Sequence, residues 1–436
     1  MQEPKIELSA WEFRKAMQNG KAVDVNGNEV SWFSSVDLSS EQIIYELNNV
    51  IVHGDVWVTN LSFSNKIEIS NCEFEGLSFA NCQFTKDIRI SDSIIKSHLL
   101  IASSDFETIE VYSSNFLGLS VNDQSSIQSL IIGGCNEIQG HLSVQNSTIE
   151  GLLRITHTKC NKNFYTSKSK ISEVIIDYSS FQKITIPSIP EKGILKIIKS
   201  QFQEISMHDN FTNLGYMQWN DIHVTDYSKI ELINAVMGRW DIINCNLSKS
   251  SLAIYSSKIT DTFYTNTKFP ELLVVPKEFE GIENKHEIFR DGYNQLKTIA
   301  QKQNDRRMFL HYQAAELRSY YSTLSWNCKD GPTKFQLLAL KWSSDYGTNW
   351  LLGIAFTIAA NAICLAICYW NYWPTFGKES FWAYAGKFGE YMFSVVKKPE
   401  FVHSGFQTAV YYFSRIPIAF GIYQTIAAFR KFGKSE

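Results

Sequence analysis

Several features that usually identify a class of protein are missing from this 436-residue sequence. Its eight cysteines are scattered and form no CxxC pair, so neither a zinc site nor a disulfide framework is expected. Charged residues make up only 19%, and the net charge of -3 argues against binding nucleic acid through bulk positive charge. The N-terminal residues mix polar and apolar side chains and lack the apolar core of a signal peptide. We therefore expect the segment before any membrane helix to stay in the cytoplasm.

What is present is a long internal repeat, from about Ile51 to Leu273. Each unit has a short stretch of alternating apolar residues, a Ser- or Asn-rich step, and then Phe, Ile or Leu, and the units recur every 10 to 12 residues. Period-2 alternation indicates strands, and the absence of a 3.6-residue period argues against helical repeats. The stretch also lacks the Asn-Gly and Asp-Gly pairs that hairpins favour. The sequence predicts a right-handed parallel β-helix solenoid over residues 50–275, with two units in each coil of about 21 residues.

The start of this repeat has a shorter period, of five residues. In the segments CEF, LSF and CQF, at residues 72–74, 77–79 and 82–84, a bulky residue recurs every five positions with a smaller residue two places before it. This pattern resembles the pentapeptide-repeat β-helix, and the resemblance implies the same solenoid architecture. Residues 1–49, with a short helix at 10–18, are expected to cap one end of the solenoid.

Some β-helices cleave polysaccharides, which requires Asp and Glu side chains clustered in a groove. The carboxylates of this repeat are isolated, and its histidines show no metal-ligand spacing. We therefore expect no enzymatic activity, no metal and no cofactor. A membrane-bound, sugar-active β-helix is kept as a minor alternative.

The pattern changes to helical after the repeat. Residues 284–321 are rich in helix formers with apolar residues on one face, and Gln303, Asn304 and Asp305 form a turn and an N-cap between two runs. The sequence therefore predicts a helical hairpin within a connector at residues 284–345.

The C-terminal region, residues 346–436, is predicted to be a membrane domain. No charged residue occurs between Gly347 and Gly377, and this length of apolar chain is enough to cross a bilayer as a helix, here over about residues 349–372. Trp350 lies at one end of this span, and aromatic residues at the other end complete the expected interface belts. The residues of that second belt are Tyr369, Trp370, Tyr372 and Trp373.

A second span is predicted over about residues 405–429, although Arg415 and Pro417 interrupt it. The basic residues after it favour a cytoplasmic C-terminus, and two spans then place the β-helix in the cytoplasm as well. Between the spans, residues 380–396 are too charged for a third span, and they indicate an interfacial or re-entrant helix.

Polar residues within these spans are the candidate functional residues, because a polar group is costly in lipid. Asn361 either bonds to a neighbouring helix or lines a pore. Arg415 either snorkels to the outer interface or faces a water-filled path or a carboxylate partner. The full set of candidates is Asn361, Arg415, Gln424 and Thr425.

The order of these parts resembles a bacterial arrangement in which a β-helix and a helical hairpin precede a compact domain similar to the minimal pore of two-helix ion channels. The residues that carry this resemblance are Phe289–Lys297, Phe309 with Glu316, Ser343–Gly347 and Tyr423–Lys431. The resemblance implies a location in the bacterial inner membrane and a gating connector that includes Phe289, Leu296, Phe309 and Glu316. No TVGYG-like filter lies between the spans, so potassium selectivity is not implied.

Taken together, the sequence predicts a multidomain β + α membrane protein, and two functions stay open. The first is an oligomeric channel or pore-forming effector gated by the cytoplasmic β-helix, in an osmotic, signalling or anti-phage setting. It requires several copies, since two helices cannot enclose a pore. The second is a membrane-anchored scaffold that presents the solenoid to a protein partner without conducting ions. Both require a lipid membrane, and neither involves nucleic acid.

Overall fold

The computed structural model describes residues 5–433 apart from 20, 24–25, 28, 32, 38–41, 135–136, 187–189, 191, 208–211, 260, 277–278, 280, 282–283, 370–380 and 394–397. The chain divides into two units, Met1–Gly281 and Ile282–Glu436.

The first unit is a parallel β-solenoid of about nine turns. Two sheets run along it, and from residue 42 onward neighbouring strands of each sheet lie one turn apart along the chain. The 11-stranded sheet contains, in order, β1 (Ile6–Ser9), β6 (Val50–Thr59), β9 (Glu73–Ala80), β12 (Ile94–Ala102), β14 (Asn115–Asn122), β16 (Leu142–Gln145), β18 (Lys159–Ser167), β20 (Ser180–Thr185), β22 (Gln201–Met207), β24 (His223–Ile233) and β26 (Ser251–Tyr255).

The second sheet of the solenoid has 14 strands. Its strands pair in parallel, except that the first two pair antiparallel. They are β4 (Phe33–Asp37), β5 (Gln42–Asn48), β7 (Ser62–Phe63), β8 (Lys66–Ser70), β10 (Gln83–Phe84), β11 (Ile88–Ser91), β13 (Asp105–Tyr112), β15 (Ser126–Gly133), β17 (Thr148–Thr156), β19 (Lys170–Asp177), β21 (Ile194–Ile198), β23 (Thr212–Asn220), β25 (Val236–Ile243) and β27 (Thr262–Thr265). A separate antiparallel pair joins β2 (Lys21–Val23) and β3 (Glu29–Ser31).

The strand register confirms the predicted coil length. Ile88 pairs with Ile67 on one side and with Ile109 on the other, so each turn advances the chain by 21 residues here. The aromatic residues that close the repeat units stack inside the solenoid. The Phe84 ring lies 4.6 Å from that of Phe63 and 4.4 Å from that of Phe106. Residues that occupy the same position in successive turns therefore stack on one another in the core.

The Ser- and Asn-rich step of the repeat forms the corners of the solenoid. Asn71 and Asp92, one turn apart, both have left-handed backbone angles with φ near +50°, a conformation that Asn and Asp tolerate better than most residues. The next residue points inward. The Ser93 hydroxyl donates to the Ser91 carbonyl at 2.7 Å and accepts the Cys72 N–H at 3.1 Å. A ladder of buried hydroxyl groups thus satisfies the backbone where the strands turn.

The described N-terminal residues pack on the first turns. The predicted short helix is α1 (Ala10–Asn19), and β1 pairs in parallel with β6. Phe13 of α1 is fully buried, and its ring meets that of Phe74 edge-on at 5.3 Å. Through Phe13, this helix packs on apolar side chains at the beginning of the solenoid.

The second unit is helical. Its helices are α2 (Lys285–Lys302), α3 (Arg306–Thr323), α4 (Gly331–Ser344), α5 (Trp350–Tyr369), α6 (Phe381–Phe393) and α7 (Gly405–Gly433). The predicted turn between α2 and α3 is confirmed, because the Asp305 carboxylate accepts the Met308 N–H at 3.0 Å as an N-cap. The helix α4 is a separate element between the hairpin and α5, and the sequence analysis did not distinguish it.

Candidate functional site

The helix α5 is the one described helix that is long and apolar enough, by length and composition, to cross a membrane. Its exposed side chains include Leu351, Ile354 and Ile358, the kind of surface that contacts lipid. The predicted second span is not confirmed by the same measure. α7 has 29 residues, but its polar residues lower its apolar content. Trp370, Tyr372 and Trp373 of the predicted second belt lie outside the described residues.

A close contact between α5 and α7 depends on two glycines. A Cβ atom on Gly353 would lie 2.5 Å from Thr425 Oγ1, and one on Gly421 would lie 3.2 Å from Thr357 Cβ and closer still to Thr357 Oγ1. The Thr357 hydroxyl donates to the Gly353 carbonyl at 2.8 Å, and the Thr425 hydroxyl donates to the Gly421 carbonyl at 2.9 Å. The two Gly-x-x-x-Thr segments therefore pack reciprocally, as small residues do between membrane helices. Thr425, a predicted pore residue, lies in this contact.

Asn361 joins α5 to the short helix α6. It is fully buried, and its side-chain Nδ2 donates to the Phe388 carbonyl at 3.2 Å. Its Oδ1 has no hydrogen-bond partner among the described residues. Of the two roles the sequence left open, the structure gives Asn361 the helix-to-helix bond.

Arg415 of α7 binds the other end of α6. Its Nη1 donates to the Met392 carbonyl at 3.0 Å, and its Nη2 donates to the Tyr391 carbonyl. The guanidinium also lies 4.0 Å from the centre of the Tyr411 ring. The two carbonyls belong to the last turn of α6, which lacks intrahelical donors and carries the negative end of the helix dipole. Arg415 thus caps α6, a role that was not predicted from the sequence.

Gln424 connects α7 to α4. Its side chain is buried, and its Oε1 accepts a hydrogen bond from the Ser344 hydroxyl at 3.3 Å. All four predicted intramembrane residues therefore have partners within their own chain. Asn361 and Arg415 hold α6, whereas Gln424 and Thr425 hold α7 against α4 and α5.

Sequence reasoning missed a further polar contact at the start of α7. The Gln407 Oε1 accepts the Ser404 N–H at 3.0 Å, and the Ser404 hydroxyl accepts the Gln407 N–H at 3.1 Å. This is a capping box, and its Ser-x-x-Gln spacing was readable in the sequence. Gln407 also donates through Nε2 to the Cys368 carbonyl at 2.9 Å, so one side chain satisfies backbone groups at the start of α7 and near the end of α5.

The predicted gating connector is partly a packing contact between α2 and α3. Leu296 is buried, and the Glu316 carboxylate lies 2.6 Å from Lys297 Nζ. Phe289 and Phe309 are half-buried, and the Arg306 guanidinium lies 5.2 Å from the centre of the Phe309 ring. The Lys297–Glu316 pair thus joins the two helices of the hairpin, whereas the cation–π contact of Phe309 lies within α3.

Two residues of the loop before α5, Asp345 and Tyr346, contact the hairpin. The Arg318 guanidinium lies 2.5 Å from the Asp345 carboxylate, and Tyr346 is buried against Ala314 and Leu337. Burial raises the pKa of the Tyr346 phenol. Asp345 and Tyr346 both have positive φ, so the loop takes a tight left-handed path between α4 and α5. The loop thus connects the hairpin to the start of α5.

Among the described residues, no group of three or more His, Cys, Asp or Glu side chains could hold a metal ion. The chain matches no protein-family model, and it shows no significant similarity to a curated protein or to a solved structure.

Proposed function

We propose that several copies of this chain form an ion-conducting pore in a bacterial inner membrane, with the β-solenoid as the cytoplasmic sensor that gates it. α5 and α7 cross the membrane in this proposal, and α6 is a re-entrant helix between them. Two long helices and one short helix cannot enclose a water-filled path, so the pore requires a homo-oligomer. Osmotic, signalling or phage-derived triggers would each act on the solenoid surface.

The observation that carries the proposal is the attachment of α6 to the middle of α5. Asn361 is eleven residues from Trp350, which corresponds to about 16 Å along a helix and to about half the thickness of a bilayer core. Phe388 is bonded to Asn361, and it therefore lies near mid-membrane depth if α5 spans. Short helices that end at this depth are tolerated where protein buries their backbone or where they border water.

Glu390 supplies the polar surface that such a path needs. It lies two residues beyond Phe388 on α6, and its side chain is exposed. A carboxylate facing lipid at this depth would cost about 2.5–3.5 kcal/mol or more, so water is the favoured environment for it. Carboxylates from several copies around one axis would attract cations and repel anions. We therefore expect the pore to prefer cations.

Reconstitution tests the proposal directly. The full chain in vesicles should release a cation gradient, and Glu390→Gln should lower the ratio of cation to anion permeability. Glu400→Gln is the matched control, since Glu400 is also exposed but lies in the connection before α7. Expression in bacteria should likewise depolarise the membrane. Correctly inserted, oligomeric protein that leaves both the vesicle gradient and the membrane potential unchanged under activating conditions would contradict a pore.

A second candidate function is a membrane-anchored scaffold for a protein partner, and one observation favours it. Asn361, Arg415, Gln424 and Thr425 each form at least one hydrogen bond within the chain, so most of their polar groups are satisfied without a water-filled path. Among the described residues, Asn361 Oδ1 and Arg415 Nε are left without a partner. A scaffold should keep its function when α5–α7 are replaced by an unrelated membrane anchor. Its function should also not require the chain to form an oligomer. A pore should lose its function on the same exchange.

A further inference from the structure

The helix α4 has an exposed apolar face that no described residue of the helical unit covers. Phe335 and Trp342 lie seven residues apart, on the same side of the helix, and their side chains are 66% and 62% exposed. Trp326, in the connection before α4, is also 62% exposed. Three large exposed aromatic residues so close in the chain indicate a surface for a partner.

The opposite face of α4 is fixed to the rest of the unit. Leu337 is buried with Ala314 and Tyr346, and Ser344 is bonded to Gln424 of α7. Because these contacts set the rotation of α4 about its axis, Phe335 and Trp342 cannot turn inward without breaking them. The exposed aromatic face is thus a fixed feature of the fold.

The charges beside this face are positive. The segment Gly331–Ser344 contains Lys334 and Lys341 and no acidic residue. Lys334 donates to the Leu324 carbonyl at 2.6 Å, and Lys341 is exposed. The α7 end that carries Arg430 lies nearby, since the Phe429 ring meets the ring of Trp350, the first residue of α5, at 6.1 Å. Aromatic and basic side chains together suit an anionic lipid surface.

Continuity of the chain determines where this face lies. Five residues, 345–349, join α4 to α5, and the Ser344 hydroxyl accepts the Gly347 N–H at 3.0 Å. If α5 crosses the bilayer, as in the proposed function on which this inference rests, α4 lies at the surface of the leaflet that α5 enters. We propose that α4 is an interfacial helix that docks Phe335 and Trp342 into an anionic bilayer surface.

Depth-dependent quenching tests this docking in the full chain. Cys328→Ser removes the one cysteine that is exposed among the described residues, and an NBD fluorophore is then attached at Phe335→Cys, Gln336→Cys or Ile358→Cys. The vesicles contain phosphatidylcholine and phosphatidylglycerol with nitroxide lipids labelled near the headgroup or deep in the acyl chain. The label at 335 should lose emission to the shallow nitroxide, whereas the label at 336, about 100° around the helix, should keep most of it. The label at 358, in the middle of α5, should lose emission to the deep nitroxide.

Each other outcome has a definite meaning. Quenching at 358 without quenching at 335 would overturn the docking of α4 while leaving the membrane insertion of α5 intact. Loss of quenching at both positions would overturn the proposed function and this inference together. Cross-linking between copies at 335 without lipid quenching would assign the face to a second copy of the chain and refute lipid docking. Lys341→Glu should reduce quenching at 335 in anionic vesicles, and an unchanged signal would refute the role of anionic lipid.

Discussion

The close packing of α5 on α7 depends on the absence of a side chain at Gly353 and Gly421, and adding a single methyl group at either position tests it. Gly421→Ala would place Cβ 3.2 Å from Thr357 Cβ and 3.0 Å from Phe356 Cδ1. Gly353→Ala would also meet backbone, because the Ser343 carbonyl oxygen lies 3.1 Å and Thr425 Cα lies 3.2 Å from the new atom. A side chain can rotate away from a methyl group, but backbone cannot. We therefore expect Gly353→Ala to be the more damaging change.

The expected change in the free energy of unfolding is the difference between two opposing effects of the added methyl group. Replacing glycine by alanine inside an open helix stabilises it by up to about 1 kcal/mol. Overpacking a tight contact costs about 1–3 kcal/mol. Gly386 and Gly389 of α6 are the matched controls, since nothing lies within 4 Å of a Cβ added to either. The controls should be neutral or slightly stabilising, whereas Gly421→Ala should destabilise the helical unit by about 1–2 kcal/mol.

Site-resolved alkylation during heating in detergent measures this effect. Cys368 is 3% exposed among α5, α6 and α7, so its modification reports the opening of the helical unit. Cys72, buried in the solenoid, serves as an internal reference in the same sample. Gly421→Ala should lower the midpoint for Cys368 by about 3–6 °C and leave that for Cys72 unchanged. Adding Thr357→Ala should recover part of the loss. If Gly353→Ala and Gly421→Ala behave like the α6 controls, α5 and α7 do not pack as described.

Three further predictions concern the solenoid. Burial raises the pKa of the Cys72 thiol to about 11 from 9.0, so the stability that the neutral thiol contributes is complete below about pH 9 and falls by about 3 kcal/mol toward pH 11. In urea unfolding, Cys72→Ser should therefore lose less stability than the native chain as the pH rises from 9 to 11. An equal loss of stability in both chains would contradict the raised pKa of Cys72. Ser114→Ala removes the acceptor of the Ser93 N–H and should lower stability by about 1–3 kcal/mol in the same assay, whereas an unchanged midpoint would mean that the hydroxyl ladder is not needed. Phe13→Ala should cost about 3–5 kcal/mol and speed proteolysis of the first turns, and resistance equal to the native chain would argue against capping by α1.

The solenoid was predictable because its repeat encodes a local rule that most turns obey. A left-handed corner residue such as Asp92, an inward hydroxyl such as Ser93 and a buried apolar residue two places later recur with the same spacing. Strand pairing between turns then follows from this spacing alone, as the 21-residue register of Ile67 and Ile88 illustrates. Long-range partners need no separate signal in such a fold. The covering of the first turns by Phe13 was predicted only in outline, because it occurs once and has no period.

The candidate site was less predictable because its contacts join segments far apart in the chain. The sequence shows that Asn361 and Arg415 are costly in an apolar helix, but it does not show which groups satisfy them. Their partners are backbone carbonyls of α6, and a carbonyl has no sequence signature. Gln424 likewise bonds to Ser344, 80 residues earlier in the chain. Only the local signals were readable, and the capping box of Ser404 and Gln407 is the clearest of them.

The internal partners of these polar residues change where a conducting path would run. Side chains that bond within the chain leave α5 and α7 with mainly apolar outer surfaces, such as those of Ile354 and Ile422, which suit lipid or neighbouring copies rather than water. Among the described residues of the helical unit, α6 then offers an exposed carboxylate, Glu390, which the proposed pore would place within the membrane. A pore must therefore be lined by α6 from several copies. Because Arg415 holds the end of α6 and Asn361 holds its middle, weakening either bond should alter conduction without placing either residue in the path of the ion.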